Sequence, residues 1–237
     1  MFLYYMAMLV IVVLTIFFGS LSLVSSLFDE KGKLQHLCAR YWGRSILKLT
    51  GIRVEINGLH HLSAADPVIL MSNHQSLYDI LVLLSSLPIQ FAFLAKESLF
   101  KIPILGWHMS RAGYIPIDRG SSRDGVRSLL EGVKKIQAGT SVLIFPEGTR
   151  SLDSKVAPFR LGGFVMAIKS GVPIIPVTIN GTGRVVKKRG RKFSPQKIKV
   201  IIDSPIETKS YSVKEKESLA EKVRQVIVKN WHAELNL

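Results

Sequence analysis

The apolar and polar positions of the chain fall into three regimes. Residues 1–28, "MFLYYMAMLVIVVLTIFFGSLSLVSSLF", carry no charged side chain. As a helix this stretch is about 42 Å long, against a bilayer hydrocarbon core of about 30 Å. It predicts a membrane-embedded helix. A secretory leader fits poorly, because a basic start and a small-residue cleavage site are missing and the apolar run is too long. Residues 33–50, "KLQHLCARYWGRSILKLT", predict a second helix. Leu34, Leu37, Cys38 and Tyr41 recur at helical spacing, and Arg40, Arg44 and Lys48 form a basic stripe. That pattern suits an interfacial helix on anionic lipid. From Gly51 onward the pattern changes again. Strand-like apolar runs fall at 52–56, 67–72, 90–95, 114–117, 141–145, 172–179 and 198–202. Helical patterns lie between several of them, at 77–87, 97–111, 122–138 and about 159–170, and a last helix over 213–231 opens on a capping box, Ser212 to Glu215. Continuous apolar strands flanked by helices predict an α/β fold with a mostly parallel central sheet. Gly51 divides a membrane-associated helix pair, residues 1–50, from an α/β domain, residues 51–237.

Charge narrows the partners. The chain has 237 residues, a formal net charge of +15 and 47% hydrophobic residues, which points to an anionic membrane surface or nucleic acid. The most basic run, 184–200, holds eight Lys and Arg and no acid, but one aromatic and no recognition-helix pattern, so a solvated segment near lipid is expected and nucleic acid is not. Lys31, Lys33, Arg40, Arg44 and Lys48 follow the apolar helix, against Asp29 and Glu30; by the positive-inside rule the domain is expected on the cytoplasmic face, with residues 1–28 as a monotopic or single-span anchor. A single cysteine, Cys38, excludes an intramolecular disulfide, and Cys and His are too sparse for a structural zinc site.

Candidate chemistry starts at "MSNHQSLYDI", residues 71–80. His74 and Asp79 are five apart, about 140° off a shared helix face, so they meet only if the chain breaks between them. Ser76 is the expected N-cap, with His74 in the loop and Asp79 in the first turn. Asp79 reads equally as half of a capping box. "SVLIFPEGTRS", 141–151, places Glu147, Gly148, Thr149 and Arg150 on a turn after a strand, where open α/β sheets bind ligands. Gly148 would let the backbone approach a ligand, and Arg150 offers a fork suited to phosphate. Lys96 and Arg119 follow two further strands. Four strand ends thus deliver a histidine and three cations, as a site for a phosphorylated substrate beside a general base would require. There is no G-x-S-x-G elbow, P-loop or G-x-G-x-x-G.

Four blocks, "NHQSLYD", "GYIPIDR", "FPEGTRS" and "VPIIPVTI", occur in an order that resembles the 1-acylglycerol-3-phosphate acyltransferase family, and the first is its HX4D motif. The likeness covers about residues 51–205, and the amino-terminal helix pair is similar to that of bacterial members. It implies transfer of a fatty acyl group from acyl-CoA or acyl-carrier protein to the 2-hydroxyl of a lysophospholipid, with no metal or resident cofactor. His74 would be the base and Asp79 its orienting partner. Lys96, Arg119 and Arg150 would hold the glycerol phosphate, with Glu147 orienting the loop or the substrate and the Pro176 block shaping the acyl site. Other acceptors, such as glycerol 3-phosphate, would use the same base, and a non-catalytic anionic-lipid binder is the competing class.

Overall fold

The computed structural model describes residues 1–29, 31–64, 66–117, 122–151, 155–186 and 193–236. Its elements are α1 (Phe2–Ser25), α2 (Lys33–Leu49), β1 (Arg53–Asn57), β2 (Ile69–Ser72), α3 (Tyr78–Ser86), β3 (Phe91–Lys96), α4 (Glu97–Phe100), α5 (Leu105–Arg111), β4 (Ile115–Ile117), α6 (Ser122–Gln137), β5 (Ser141–Ile144), α7 (Gly162–Ser170), β6 (Ile174–Asn180), α8 (Thr182–Val185), β7 (Lys197–Ile202), α9 (Lys216–Lys229) and α10 (Ala233–Asn236). The strands form one sheet in the order β1-β7-β6-β2-β5-β3-β4, parallel throughout except between β6 and β7. β2, β5 and β6 are buried at every position, which is why their sequences are apolar without alternation. Successive side chains still leave opposite faces: Leu70 packs with α2 and α3, whereas Ile69 and Met71 pack with α6, α7 and α9. β2 lies between β5 and β6, so its carboxyl end, where His74 follows, is flanked by the ends of both.

Two expectations change. The helix expected over 97–111 is two short helices. Pro103 lacks the amide that a continuing helix needs, and Ile104 sits at φ 64°, a conformation costly for a β-branched residue. The basic stripe of α2 is partly turned inward: Arg40 Nη2 donates to the Leu87 carbonyl at 2.7 Å and Arg44 Nε to the Ser85 carbonyl at 3.1 Å. Both satisfy carbonyls that α3 leaves open at its carboxyl end. Lys48 is exposed, as are Leu34, Leu37 and Tyr41, while Cys38 is buried.

α1 lies against α2 and α5 instead of standing apart from the domain. Thr15 accepts a hydrogen bond from Trp42 Nε1 at 3.1 Å, and buried Ser22 meets His108 Nδ1 at 2.6 Å. Gly19 leaves room for the Ile104 side chain, which any larger residue would displace. The remaining circumference of α1, including Phe2, Leu9, Val13, Phe17 and Val24, is exposed.

Candidate active site

β2 ends at Ser72, and the chain runs irregularly through residues 73–76 before α3 starts at Tyr78. The break predicted between His74 and Asp79 is present, although Leu77, not Ser76, occupies the N-cap position. His74 Nδ1 lies 2.8 Å from Asp79 Oδ2. The same oxygen accepts the backbone N–H of Gln75 at 2.7 Å and of Ser76 at 2.9 Å. Asp79 therefore serves both readings of its motif, since it gathers amides at the helix start and holds the imidazole. A fully buried carboxylate needs such donors to stay in place. With Nδ1–H donated to the carboxylate, Nε2 carries the lone pair that can take a proton. The ring stacks on Phe145, with centroids 4.0 Å apart.

The loop after β5 fastens the main chain of His74 from both sides. Glu147 Oε1 accepts the His74 N–H at 2.7 Å, and the Ser151 N–H donates to the His74 carbonyl at 2.9 Å. Glu147 Oε2 accepts the Ala157 N–H at 2.9 Å. Both carboxylate oxygens of Glu147 thus meet main-chain amides. Burial pushes its carboxyl up to about 7; the two amide bonds oppose that rise, the Asp79 charge adds to it and Arg224 opposes it. Gly148, at φ 75°, makes the turn, and its open side faces Arg160, whose Nε would lie 2.6 Å from an added Cβ.

His74 opens on a cavity of about 700 Å³. Lys96, Thr149 and Arg150 line it, with Lys96 and Thr149 exposed and Arg150 half-buried. Most of the remaining wall is apolar and comes from α1 (Met8, Ile11, Phe18), α3 (Leu81, Leu84) and the row Phe93, Leu99 and Met109. The structure thus brings His74, Asp79 and Glu147 into contact and sets Lys96, Thr149 and Arg150 around one cavity. Arg119 lies outside the described residues. Sequence reasoning missed Phe145 and Ser151 as supports of His74, and α1 as a wall of the cavity. Gly19, where an added Cβ would meet Ile104, and buried Ser22 are the small residues at that docking.

A histidine held by a buried carboxylate thus opens on an apolar cavity edged by cations, at the carboxyl end of a mostly parallel sheet. The chain belongs to the Acyltransferase family, whose model matches residues 53–180. It is 39% identical over 183 residues to the chloroplastic 1-acyl-sn-glycerol-3-phosphate acyltransferase of Brassica napus, covering 76% of this chain and 53% of that protein. The Saccharomyces cerevisiae 1-acyl-sn-glycerol-3-phosphate acyltransferase is 32% identical over 235 residues, 96% of this chain and 77% of the yeast protein. The chain spans about half the length of the plant relatives it matches. Among solved structures, the 1-acyl-sn-glycerophosphate (LPA) acyltransferase PlsC of Thermotoga maritima superposes with a TM-score of 0.82 at 29% identity, over 96% of this chain and 92% of that one.

Proposed function

We propose that this protein transfers a fatty acyl group from an acyl thioester to the 2-hydroxyl of 1-acylglycerol 3-phosphate, giving phosphatidate, at the cytoplasmic face of a membrane. The observation that carries this reading is the His74–Asp79 pair opening on the apolar, cation-edged cavity. His74 Nε2 takes the hydroxyl proton as the oxygen attacks the thioester carbonyl, and Asp79 stabilises the imidazolium that forms. When the tetrahedral adduct collapses, the C–S bond breaks and the thiolate takes the proton back from the imidazolium. The acceptor is now an ester and the donor a free thiol, of CoA or of an acyl-carrier protein. A thioester is already activated, so base catalysis and alignment supply the rate. Lys96 and Arg150 neutralise the phosphate, and the apolar wall takes an acyl chain.

The test is an assay of the purified protein with 1-acylglycerol 3-phosphate and each donor, following thiol release. His74→Ala is expected to lower kcat by about 10²–10⁴-fold, the usual share of a general base, with an unchanged circular dichroism spectrum. Capture by anionic vesicles without thiol release from either donor would instead identify a lipid-binding protein.

A further inference from the structure

The residue before the histidine performs a backbone task with a side chain. β2 pairs with β6 through Ser72, opposite Val177, and the main chain then turns away to present His74. Turning away would strand the next groups of β6, the N–H and C=O of Ile179, in a region without solvent. Asn73 fills the place. Its Nδ2 donates to the Ile179 carbonyl at 2.9 Å, and its Oδ1 accepts the Ile179 N–H at 2.8 Å. Asn73 is 1% exposed and Ile179 fully buried, so water cannot substitute at either bond. An asparagine amide carries a donor and an acceptor in one plane, as a peptide group does, which makes it a side-chain rung of the sheet.

β6 is held in turn from its far side. Asn180 Oδ1 accepts the His232 N–H at 2.9 Å and Asn236 Nδ2 at 2.7 Å, and Asn236 Oδ1 accepts the Gly181 N–H at 2.8 Å. Asn180 and Asn236 are buried. The carboxyl-terminal turn α10 is thereby latched to the residues just beyond the one that Asn73 grips.

We propose that Asn73 is a positioning residue for His74, and that β6, latched by Asn236, is the fixed body against which it aligns the imidazole. This rests on His74 as the base. Asp79 and Glu147 hold the imidazole and the main chain of His74, but both approach from the carboxyl side or from β5. Asn73 ties the chain to β6 just past the last β2–β6 pair, Ser72 with Val177. A base displaced by about 1 Å loses on the order of 100-fold in rate without losing substrate affinity.

Three variants test this, with two readouts. Asn73→Ala is expected to lower kcat by about 30- to 100-fold and leave KM for 1-acylglycerol 3-phosphate within about twofold. In a His74→Ala background the same change should leave the residual rate untouched, because its effect passes through the imidazole. Asn236→Ala, remote from the cavity, should give a smaller kcat loss of the same kind, and it serves as the readout if Asn73→Ala fails to fold. The second readout is the rate of His74 carbethoxylation by diethyl pyrocarbonate, mapped by mass spectrometry, which should rise in Asn73→Ala. An unchanged kcat and modification rate, or an equal loss in the His74→Ala background, overturns the proposal. A wild type inactive on the lysolipid, with modification of His74 still sensitive to Asn73, would sink the reading of function and keep the positioning role.

Discussion

Arg150 and Glu147 stand three residues apart on one turn yet have different work. Arg150 lines the cavity with His74. Loss of a guanidinium–phosphate pair costs roughly 1.5–3 kcal/mol, or about 10- to 150-fold in kcat/KM. Arg150→Ala is therefore expected to cost that much with 1-acylglycerol 3-phosphate and little with 1-acylglycerol, which has no phosphate. A similar loss with both acceptors would mean that Arg150 supports the loop. Glu147 gives a pH signature. Burial raises its carboxyl from 4.5 to about 7 in the folded chain, so the folded state holds an extra proton between those values. Its contribution to stability is complete below about 4.5 and is lost as pH rises through about 7. Thermal unfolding across pH 4.5–8 should show Tm of the wild type falling relative to Glu147→Gln, whose own baseline is lower because its amide NH2 cannot accept one of the two backbone bonds. Parallel curves for the two proteins would refute this.

At the scale of elements, the hydrogen bond from Arg40 to Leu87 joins α2 to the carboxyl end of α3. Arg40→Ala should lower the unfolding free energy by about 2 kcal/mol, as for other hydrogen bonds from a charged donor, and Lys48→Ala by much less, measured by urea titration. The contrast shows what the sequence could reveal. Helical spacing correctly groups Arg40, Arg44 and Lys48 on one side of α2, but periodicity states which residues share a face and not what the face meets. Strands 69–72, 141–144 and 174–180 were legible because full burial leaves unbroken apolar runs, and the break between His74 and Asp79 was legible because five positions cannot close on a helix. The docking of α1 was hidden for the opposite reason: a helix apolar nearly all round has no clear face to read, and Gly19 and Ser22, on the docked side, stand among Thr15, Ser20 and Ser25. Asn73 was hidden, and so was the grip of Glu147 on the His74 amide although Glu147 itself stood in a legible motif, because their partners are main-chain groups, and backbone partners leave no trace in residue identity.

Among the described residues, the densest run of exposed apolar side chains lies on one helix. Phe2, Leu9, Val13, Phe17 and Val24 are exposed on α1, which is long and apolar enough to cross a bilayer, while its inner side lines the cavity beside His74. Each such side chain contributes about 1.5–3 kcal/mol on leaving water. Replacing Leu9 and Phe17 together by Ser should weaken partition onto lipid vesicles by at least about tenfold, and leave turnover of detergent-dispersed substrate nearly unchanged. Unaltered partition would remove α1 as the contact with lipid.

Because α1 spends one side on the cavity and leaves the other bare, it has no side suited to water. In dilute aqueous buffer the bare residues of one chain have only those of another to meet, and a contiguous apolar surface of this kind drives association. The colloidal behaviour of the protein is thus decided by the same helix that walls its site. Self-association through the bare side would press on that wall from outside, so solubility and the shape of the cavity are not independent properties of this chain.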